Sequence, residues 1–192
     1  MCAYKGKICL KQYIKDKHSR FGIKSFCKAS ANTGYCYKII PYNGKNFKYN
    51  KNIGIGASII IEMTKDHESK GFHFTFDIYY SNMNSISYLV KNNIFFTFTF
   101  SRNRKAIPEE IKKVSLGKDD IRIYNIKNTE VLMMLIKDKK EVNIASNYFG
   151  YKTVKYKNKK GKYKRKREMI AIYNITKGGV DLLDCNCNIH PT

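Results

Sequence analysis

Acidic side chains are scarce in this chain, and three of them occupy positions that suggest metal chemistry. The 192 residues include 37 Lys and Arg but 15 Asp and Glu, a formal net charge of +22. Asp181 and Asp184 follow the pair Gly178-Gly179. If a helix begins near Val180, this spacing places both carboxylates on one face, where the N-terminal dipole tolerates negative charge. Local physics alone favours a plainer interpretation, a Gly-Gly loop followed by an aspartate N-cap.

The third acid, Asp77, lies at the end of residues 72–77, a segment whose pattern predicts a strand. Side chains just beyond the carboxyl end of a strand often face a ligand crevice, although Asp77 could simply cap the turn at residues 79–81. Taken together, Asp77 and Asp181 could converge on a divalent cation, because Mg²⁺ takes one or two carboxylates with water and phosphate oxygens. Such metals activate the attacking oxygen and stabilise the leaving oxygen of a phosphodiester.

The charge balance indicates a polyanionic partner. A field of this sign favours nucleic acid or an anionic membrane surface. No window approaches the roughly 18 apolar residues of a membrane-spanning helix, and the N-terminus lacks the apolar core of a signal peptide. We therefore expect DNA rather than a membrane as the partner. Nucleotide bias in an AT-rich gene is an alternative source of the abundant Lys, Asn, Ile and Tyr.

The densest positive charge lies just before the glycine pair. Ten of the seventeen residues 151–167 are Lys or Arg, with Tyr156 and Tyr163 interleaved. Such a run would neutralise phosphates and make binding strongly salt-dependent, and it could also serve as a nuclear localisation signal. The alternative is a solvated loop.

The six cysteines predict no disulfide framework. Without a secretory signal they are expected to be reduced thiols. Cys185 and Cys187 with His190 could offer soft metal ligands, but a tetrahedral zinc site needs a second pair. We therefore expect no zinc here.

The hydrophobic pattern predicts a mixed α/β fold that would position these acids. Alternation at 21–27 and 35–42 around the turn at 31–34 predicts a hairpin. A polar loop at 43–52 precedes residues 53–65, which favour a helix although the Ile run could equally be a strand. Residues 72–77 and 94–100 predict strands on either side of a helix at 83–92.

This order predicts a right-handed crossover in a mixed sheet. A helical turn is expected at 108–110. Three short strands of a meander are then expected at 121–126, 131–136 and 142–148.

Several of these residues resemble the motifs of piggyBac-type transposases, which are DDE recombinases with a ribonuclease-H-like core. Tyr173-Asn174 with the stretch from Lys177 to Asp184 resembles the family's tyrosine-asparagine and glycine-glycine-valine-aspartate signature. Phe76-Asp77 resembles its second strand-end motif, and Arg104-Lys105 its following basic segment. The early hairpin, with Thr33-Gly34-Tyr35, also matches, so that the resemblance runs along the whole chain.

The resemblance implies roles for particular residues. Asp77 would be the second catalytic acid and Asp181 the third, both binding Mg²⁺, with Asp184 a nearby acid sometimes counted with the metal site. The basic residues expected to contact DNA are Arg102, Arg104, Lys105, Lys164, Arg165, Lys166 and Arg167. A nuclear location and a homodimer are also implied.

The chain departs from the family pattern at several motif positions. Ile78 stands where an asparagine usually follows the second acid, Phe98–Ser101 replaces a glycine-threonine-valine-arginine strand end, and Cys185 replaces a glutamine. The resemblance places the first acid upstream of Met1. Because that acid normally bridges two metal ions, we expect this chain alone to be inactive.

The resemblance therefore implies an incomplete ribonuclease-H-like mixed sheet with helices, interrupted by a β-rich insertion. Its expected divisions are a partial core at 1–111, the insertion at 112–167 and a return to the core at 168–192. The expected function is that of a truncated transposase domain, ancestrally active in metal-dependent DNA cleavage and strand transfer. The alternatives are a non-catalytic basic DNA-binding protein and an open reading frame without a cellular role.

Overall fold

The structure, a computed structural model, describes residues 2–15, 20–157 and 161–189. Lys159 and Lys160 of the basic run, and His190 of the candidate zinc ligands, lie outside these residues. The chain divides into two compact units, Met1–Asn50 with Gly178–Thr192 and Lys51–Lys177. We call them the terminal unit and the central unit and describe each by itself.

The strands of the described residues are β1 (Cys2–Ala3), β2 (Lys11–Tyr13), β3 (Phe21–Ile23), β4 (Ser25–Ala29), β5 (Cys36–Pro41), β6 (His73–Phe76), β7 (Phe95–Thr99), β8 (Ile121–Asn125), β9 (Leu132–Lys137), β10 (Glu141–Ser146), β11 (Thr153–Lys157) and β12 (Tyr163–Arg167). The α-helices are α1 (Gly54–Thr64), α2 (Met83–Lys91), α3 (Glu109–Lys112), α4 (Glu168–Thr176) and α5 (Gly179–Ile189). None of the helices in the described part of the chain is long and apolar enough to cross a membrane.

The terminal unit contains two small sheets and α5. Strands β1, β3 and β2 form one antiparallel sheet, and β4 and β5 form the predicted hairpin. The first strand predicted for that hairpin is divided, because its residues 21–23 form β3 in the other sheet. The inward side of the hairpin holds Phe26, which is buried and packs against the rings of Tyr42 and Phe47. Gly34, in the turn between the strands, has a φ of +70°, a conformation that glycine adopts without the strain a side chain would cause.

The central unit is built on a five-stranded mixed sheet in the order β6-β7-β10-β9-β8. Strands β6 and β7 are parallel, joined through α2, and the remaining pairs are antiparallel. The parallel pair confirms the predicted strand-helix-strand order. The meander is also confirmed, and its strands continue the same sheet because β10 pairs with β7.

Alternation along the strands gives this sheet two covered faces. Phe96 and Phe98 of β7 pack on one side with Ile60 of α1 and Leu89 of α2. The other side receives α4, whose fully buried Met169 packs with Met134 of β9 and Ile144 of β10. The central unit is therefore a sheet between helices. At about 0.8 kcal/mol per buried CH₂, these contacts are its main source of stability.

The choice of helix over strand for residues 53–65 is confirmed by α1. The helix at 83–92 is likewise confirmed, with the Asn82 side chain accepting the N–H of Ser85 at 2.9 Å as an N-cap. The solvated-loop alternative for the basic run is wrong for residues 153–157 and 163–167, which form β11 and β12 and pair with each other. The finer assignment to a ribonuclease-H-like fold and the three expected divisions stay predictions.

Candidate functional site

Asp77 stands at the carboxyl end of β6, beside the parallel strand β7. Its side chain is exposed, and Oδ1 accepts the N–H of Ile78 at 2.7 Å. This bond caps a single 3-10 turn, Ile78–Tyr80. Asp77 therefore does cap the turn that follows it, as the alternative interpretation of the sequence suggested. The same geometry leaves Oδ2 without a hydrogen-bond donor among the described residues. Asp77 can therefore cap its turn with one oxygen and bind a cation with the other.

The turn after Asp77 is held from the far side by Arg104. The guanidinium of Arg104 donates to the carbonyl of Ile78 at 2.6 Å and to that of Tyr79 at 3.3 Å. A charged donor on two carbonyls stabilises the turn more than a neutral one would. Arg104, predicted to bind DNA, thus also positions the segment that carries Asp77.

Two hydroxyl pairs join α4 to the strand ends next to Asp77. The Oγ1 atoms of Thr75 and Thr176 lie 2.6 Å apart, and Oγ1 of Thr99 lies 3.3 Å from the hydroxyl of Tyr173. Burial raises the pKa of Tyr173 above its usual value, and the negative charge of Asp77 raises it further, while the Thr99 hydrogen bond acts in the opposite direction. The phenol therefore stays protonated and available as a donor near Asp77.

A cleft of about 430 Å³ opens beside this turn. Its walls include Ile78 and Thr99 next to Asp77, and the polar side chains of Ser101, Asn103 and Asn143. The Oδ1 atom of Asn143 is buried and has no hydrogen-bond partner among the described residues. The space beside Asp77 is thus lined with groups that can bind a polar ligand.

Asp181 and Asp184 both lie on α5 in the terminal unit, three residues apart as predicted. The helix begins at Gly179, so Asp181 is inside its first turn and the N-cap interpretation is wrong. Asp181 is exposed and Asp184 is half-buried. The helix dipole favours a carboxylate at the position of Asp181.

Gly179 is needed for a close approach rather than for an unusual conformation. A Cβ atom at Gly179 would stand 2.7 Å from the carbonyl oxygen of Ser30, and one at Gly34 would stand 2.9 Å from Cγ of Leu182. The turn of the β4–β5 hairpin therefore rests directly on the start of α5. Because both contacts exclude a side chain, they fix the helix turn that carries Asp181.

The acids thus divide between the units, Asp77 in the central one and Asp181 with Asp184 in the terminal one. No group of three or more His, Cys, Asp or Glu able to hold a metal ion occurs among the described residues. The convergence of Asp77 and Asp181 on one ion stays a prediction. Cys9, Cys36, Cys185 and Cys187 have free thiols.

The sequence profile of the family described as Transposase IS4 matches residues 1–191. The chain belongs to this transposase family. Its fold is also similar to that of piggyBac transposase in the cryo-EM structure of its synaptic complex with hairpin DNA. The similarity covers 97% of this chain and 38% of that one, with a TM-score of 0.78 and 25% identity. These matches identify the chain as a segment of the piggyBac type.

Human relatives agree with this assignment. The chain is 26% identical over 201 residues to human piggyBac transposable element-derived protein 2, and 29% identical over 202 residues to human piggyBac transposable element-derived protein 3. Each alignment covers 97% of the chain and 33% of the relative. The transposase segment therefore spans about a third of the length of these curated relatives.

The basic residues predicted to contact DNA have different surroundings. Arg102 is mostly buried, with a side chain 17% exposed that pairs with Glu141 at 2.7 Å and donates to the carbonyl of Val114. This transposase segment thus uses Arg102 to fasten the loop after β7. Lys105 is exposed in the same loop.

The four basic residues predicted on β12 also differ from one another. Lys166 pairs with Asp138 at 3.0 Å, and Arg167 donates to the carbonyl of Tyr151 at 3.1 Å. Lys164 and Arg165 are exposed. Strand alternation separates these residues onto two faces, a distinction that the run of charges did not reveal.

Sequence reasoning used Tyr173 as part of a family motif but missed the threonines beside Asp77. The alternation of Phe with Thr in β6 and β7 contained the signal, since Thr75 and Thr99 each point to the face opposite the directly adjacent Phe. Thr97, fully buried between them, donates to Ser146 Oγ at 3.0 Å. A Thr that alternates with core Phe indicates a polar contact on the opposite face.

Proposed function

We propose that this chain is the part of a piggyBac-type transposase core that binds DNA and contributes two carboxylates, Asp77 and Asp181, to a Mg²⁺ site. The observation that carries the proposal is the exposed Asp77 at the end of β6, in a fold similar over 97% of the chain to a transposase in complex with DNA. Asp184 would lie near the same site. The complete core would be ribonuclease-H-like.

The donor chemistry of these acids fits a hard divalent cation. Asp77 has one carboxylate oxygen that accepts no hydrogen bond from the described residues, and Asp181 is an exposed carboxylate on the first turn of α5. Oxygen ligands of this kind, completed by water and phosphate, are what Mg²⁺ prefers. When bound, the ion would activate the attacking oxygen and stabilise the leaving oxygen of a phosphodiester. The role of Arg104 would be to hold the Asp77 turn rigid around it.

The test is the binding of Mn²⁺, measured by electron paramagnetic resonance on the 192-residue chain. Asp77→Asn and Asp181→Asn should each weaken the binding by tenfold or more, about 1.4 kcal/mol or more, because each removes a charged ligand. Glu130→Gln is the matched control, since Glu130 is exposed and its substitution removes the same charge. Equal affinities for all four proteins would refute the proposed site.

A second candidate function is DNA binding without catalysis, favoured by the net charge of +22. The matched motifs supply two carboxylates, while a DDE site uses three, so we expect the 192-residue polypeptide by itself to bind DNA without cleaving it. Incubation with labelled duplex DNA in Mg²⁺ or Mn²⁺ tests this expectation. Cleavage or hairpin formation that disappears in Asp77→Asn would establish activity instead.

The proposed function also implies a nuclear location and a homodimer. A protein that acts on DNA would be nuclear in a eukaryotic cell, and synapsis of two DNA ends would require at least two copies. Fluorescence microscopy of the tagged chain tests the location. Sedimentation with and without DNA tests the homodimer, which would be overturned by a monomer under both conditions.

A further inference from the structure

The hairpin of β11 and β12, which we call the ribbon, has two chemically different faces. The register pairs Lys155 with Arg165 and Lys157 with Tyr163. Because directly opposite residues share a face, these four side chains lie together, and we call them the outer face. All four are exposed.

The opposite face of the ribbon is partly covered. Val154 and Tyr156 are half-buried there, and Lys166 pairs with Asp138 at 3.0 Å. This face therefore makes contacts within the central unit. Of the two cations on this face, Lys164 and Lys166, the second has an acidic partner from the same chain.

The outer face concentrates positive charge at a cost to the fold. Lys155 and Arg165 stand directly opposite each other, and like charges in that relation destabilise a strand pair. Within the described residues, no carboxylate forms a salt bridge with Lys155, Lys157 or Arg165. The Lys155 ammonium does make a cation–π contact, 4.6 Å from the centroid of the Tyr163 ring. An unfavourable pair of like charges is expected on a surface that binds a ligand, because function there outweighs stability.

The cations of the outer face are close enough together to contact neighbouring phosphates of one polyanion. Residues two apart on a strand are separated by about 6.8 Å and the two strands by about 4.8 Å. The cations therefore form a compact triangle rather than a line. A two-stranded ribbon is also the right width for the major groove of DNA, about 12 Å.

We propose that the outer face of the ribbon contacts the phosphate backbone of double-stranded DNA through Lys155, Lys157 and Arg165. The inference rests on the proposed DNA-binding function and adds Lys155 and Lys157 to the residues predicted from sequence. Tyr163 orients Lys155 by lying under its ammonium group. Lys166 and Arg167 hold the ribbon in place.

The composition of the outer face distinguishes duplex DNA from other polyanions. It has one aromatic ring, already covered by Lys155, whereas single strands are bound by several rings on which bases stack. It has no aliphatic side chain to insert into a bilayer, as interfacial segments do. Phosphate contacts to a duplex need only the cations, since they carry no sequence information.

The experiment measures the dissociation constant for a 24-base-pair duplex by fluorescence anisotropy, at KCl concentrations from 50 to 200 mM. The test variant is Lys155→Gln with Arg165→Gln. The control is Lys118→Gln with Lys127→Gln, which removes the same charge from two exposed lysines of the central unit. Loss of two phosphate contacts should lower the log–log salt slope by about 1.8 and weaken binding at 100 mM by on the order of 10- to 100-fold. The control should retain the parent slope.

The outcomes separate this inference from the proposed function. If the parent binds and the test variant binds equally well, or if both variants lose the same affinity, the outer face is not the contact. If the parent does not bind duplex DNA, both proposals fail. A loss confined to single-stranded DNA or to phosphatidylserine vesicles would also overturn the inference.

A folding control accompanies the binding measurement. The test variant removes a like-charge pair and also the contact of Lys155 with the Tyr163 ring. Because these two effects oppose each other, its melting temperature should stay close to that of the parent. Weaker DNA binding with unchanged or higher stability is the signature of a surface kept for a ligand. Weaker binding that follows a lowered melting temperature would contradict the inference.

Discussion

The guanidinium of Arg104 lies 2.6 Å from the carbonyl oxygen of Ile78, the residue next to Asp77. The two residues are 26 positions apart along the chain, so the bond ties the loop after β7 to the turn after β6. A candidate metal ligand thus stands on a turn fixed at both ends, by its own carboxylate and by an arginine.

Arg104→Ala should lower the free energy of unfolding by about 1 kcal/mol, because two carbonyls lose a charged donor. Hydrogen exchange of the amides of Ile78 and Ser81 should quicken more than that of the β7 amides. Lys105→Ala is the matched control, since Lys105 is the exposed neighbour in the same loop. Equal exchange in both variants would show that Arg104 does not hold the turn.

The stability of the chain should fall in mild acid because of His73. Burial lowers the pKa of His73 to about 4, although a backbone hydrogen bond to Phe96 partly opposes this effect. In the unfolded chain the pKa of His73 is about 6.5, so between pH 6.5 and pH 4 the unfolded state binds the proton more readily than the folded state does. The stability is therefore fully present above about pH 6.5 and is lost as the pH falls toward 4. The loss should amount to at most about 3 kcal/mol.

Urea unfolding at pH 7.5, 5.5 and 4.5 measures this loss. The Nε2 atom of His73 lies 2.9 Å from Oγ1 of Thr97, so His73→Gln keeps a polar partner at the site while removing the titration. The variant should lose less stability than the parent over the same interval. Parallel curves for the two proteins would exclude His73 as the cause.

Gly179→Ala should destabilise the terminal unit by about 1–3 kcal/mol, because its Cβ would overpack the backbone. The clash is with the Ser30 carbonyl oxygen, at 2.7 Å. Thermal melting followed by circular dichroism measures the effect. Gly117→Ala is the control, since its Cβ would come no closer than 3.4 Å to the Asp120 side chain. A melting temperature equal to that of the control would argue against the close packing of hairpin and helix.

The pair Thr75 and Thr176 should show energetic coupling. Their hydroxyl oxygens lie 2.6 Å apart and join α4 to β6. A double-mutant cycle with Thr75→Val and Thr176→Val should give a coupling free energy of about 0.5–1.5 kcal/mol. Urea unfolding of the four proteins supplies the values, and strict additivity would mean that the bond contributes nothing.

The local elements were accessible from the sequence because their signals are local. Period-two alternation predicted β6 and β7, and period-3.6 spacing predicted α2. The order of those elements then predicted their parallel pairing, because a crossover through a helix requires it. The motifs around Asp77 and Asp181 identified the family for the same reason, since they are contiguous.

The faces and partners of individual side chains were decided by the tertiary structure. The sequence placed Arg102 and Arg104 together as DNA-binding residues, but the fold brings Glu141 to the first and the Ile78 carbonyl to the second. It also divides the basic run between two faces of a ribbon, since pairing with β11 sets the register of Arg165. The density of charge along the sequence does not show how the two strands pair.

The glycine pair shows the same division between local and tertiary information. The sequence by itself predicted a turn at Gly178-Gly179 and left open whether Asp181 caps the following helix or lies inside it. The structure begins the helix at Gly179, with Asp181 in its first turn. That Gly179 must lack a side chain is due to Ser30, which is 149 positions away along the chain and 2.7 Å away from the missing Cβ. Packing of this kind depends on contacts between distant segments, and those contacts exist only once the chain has folded.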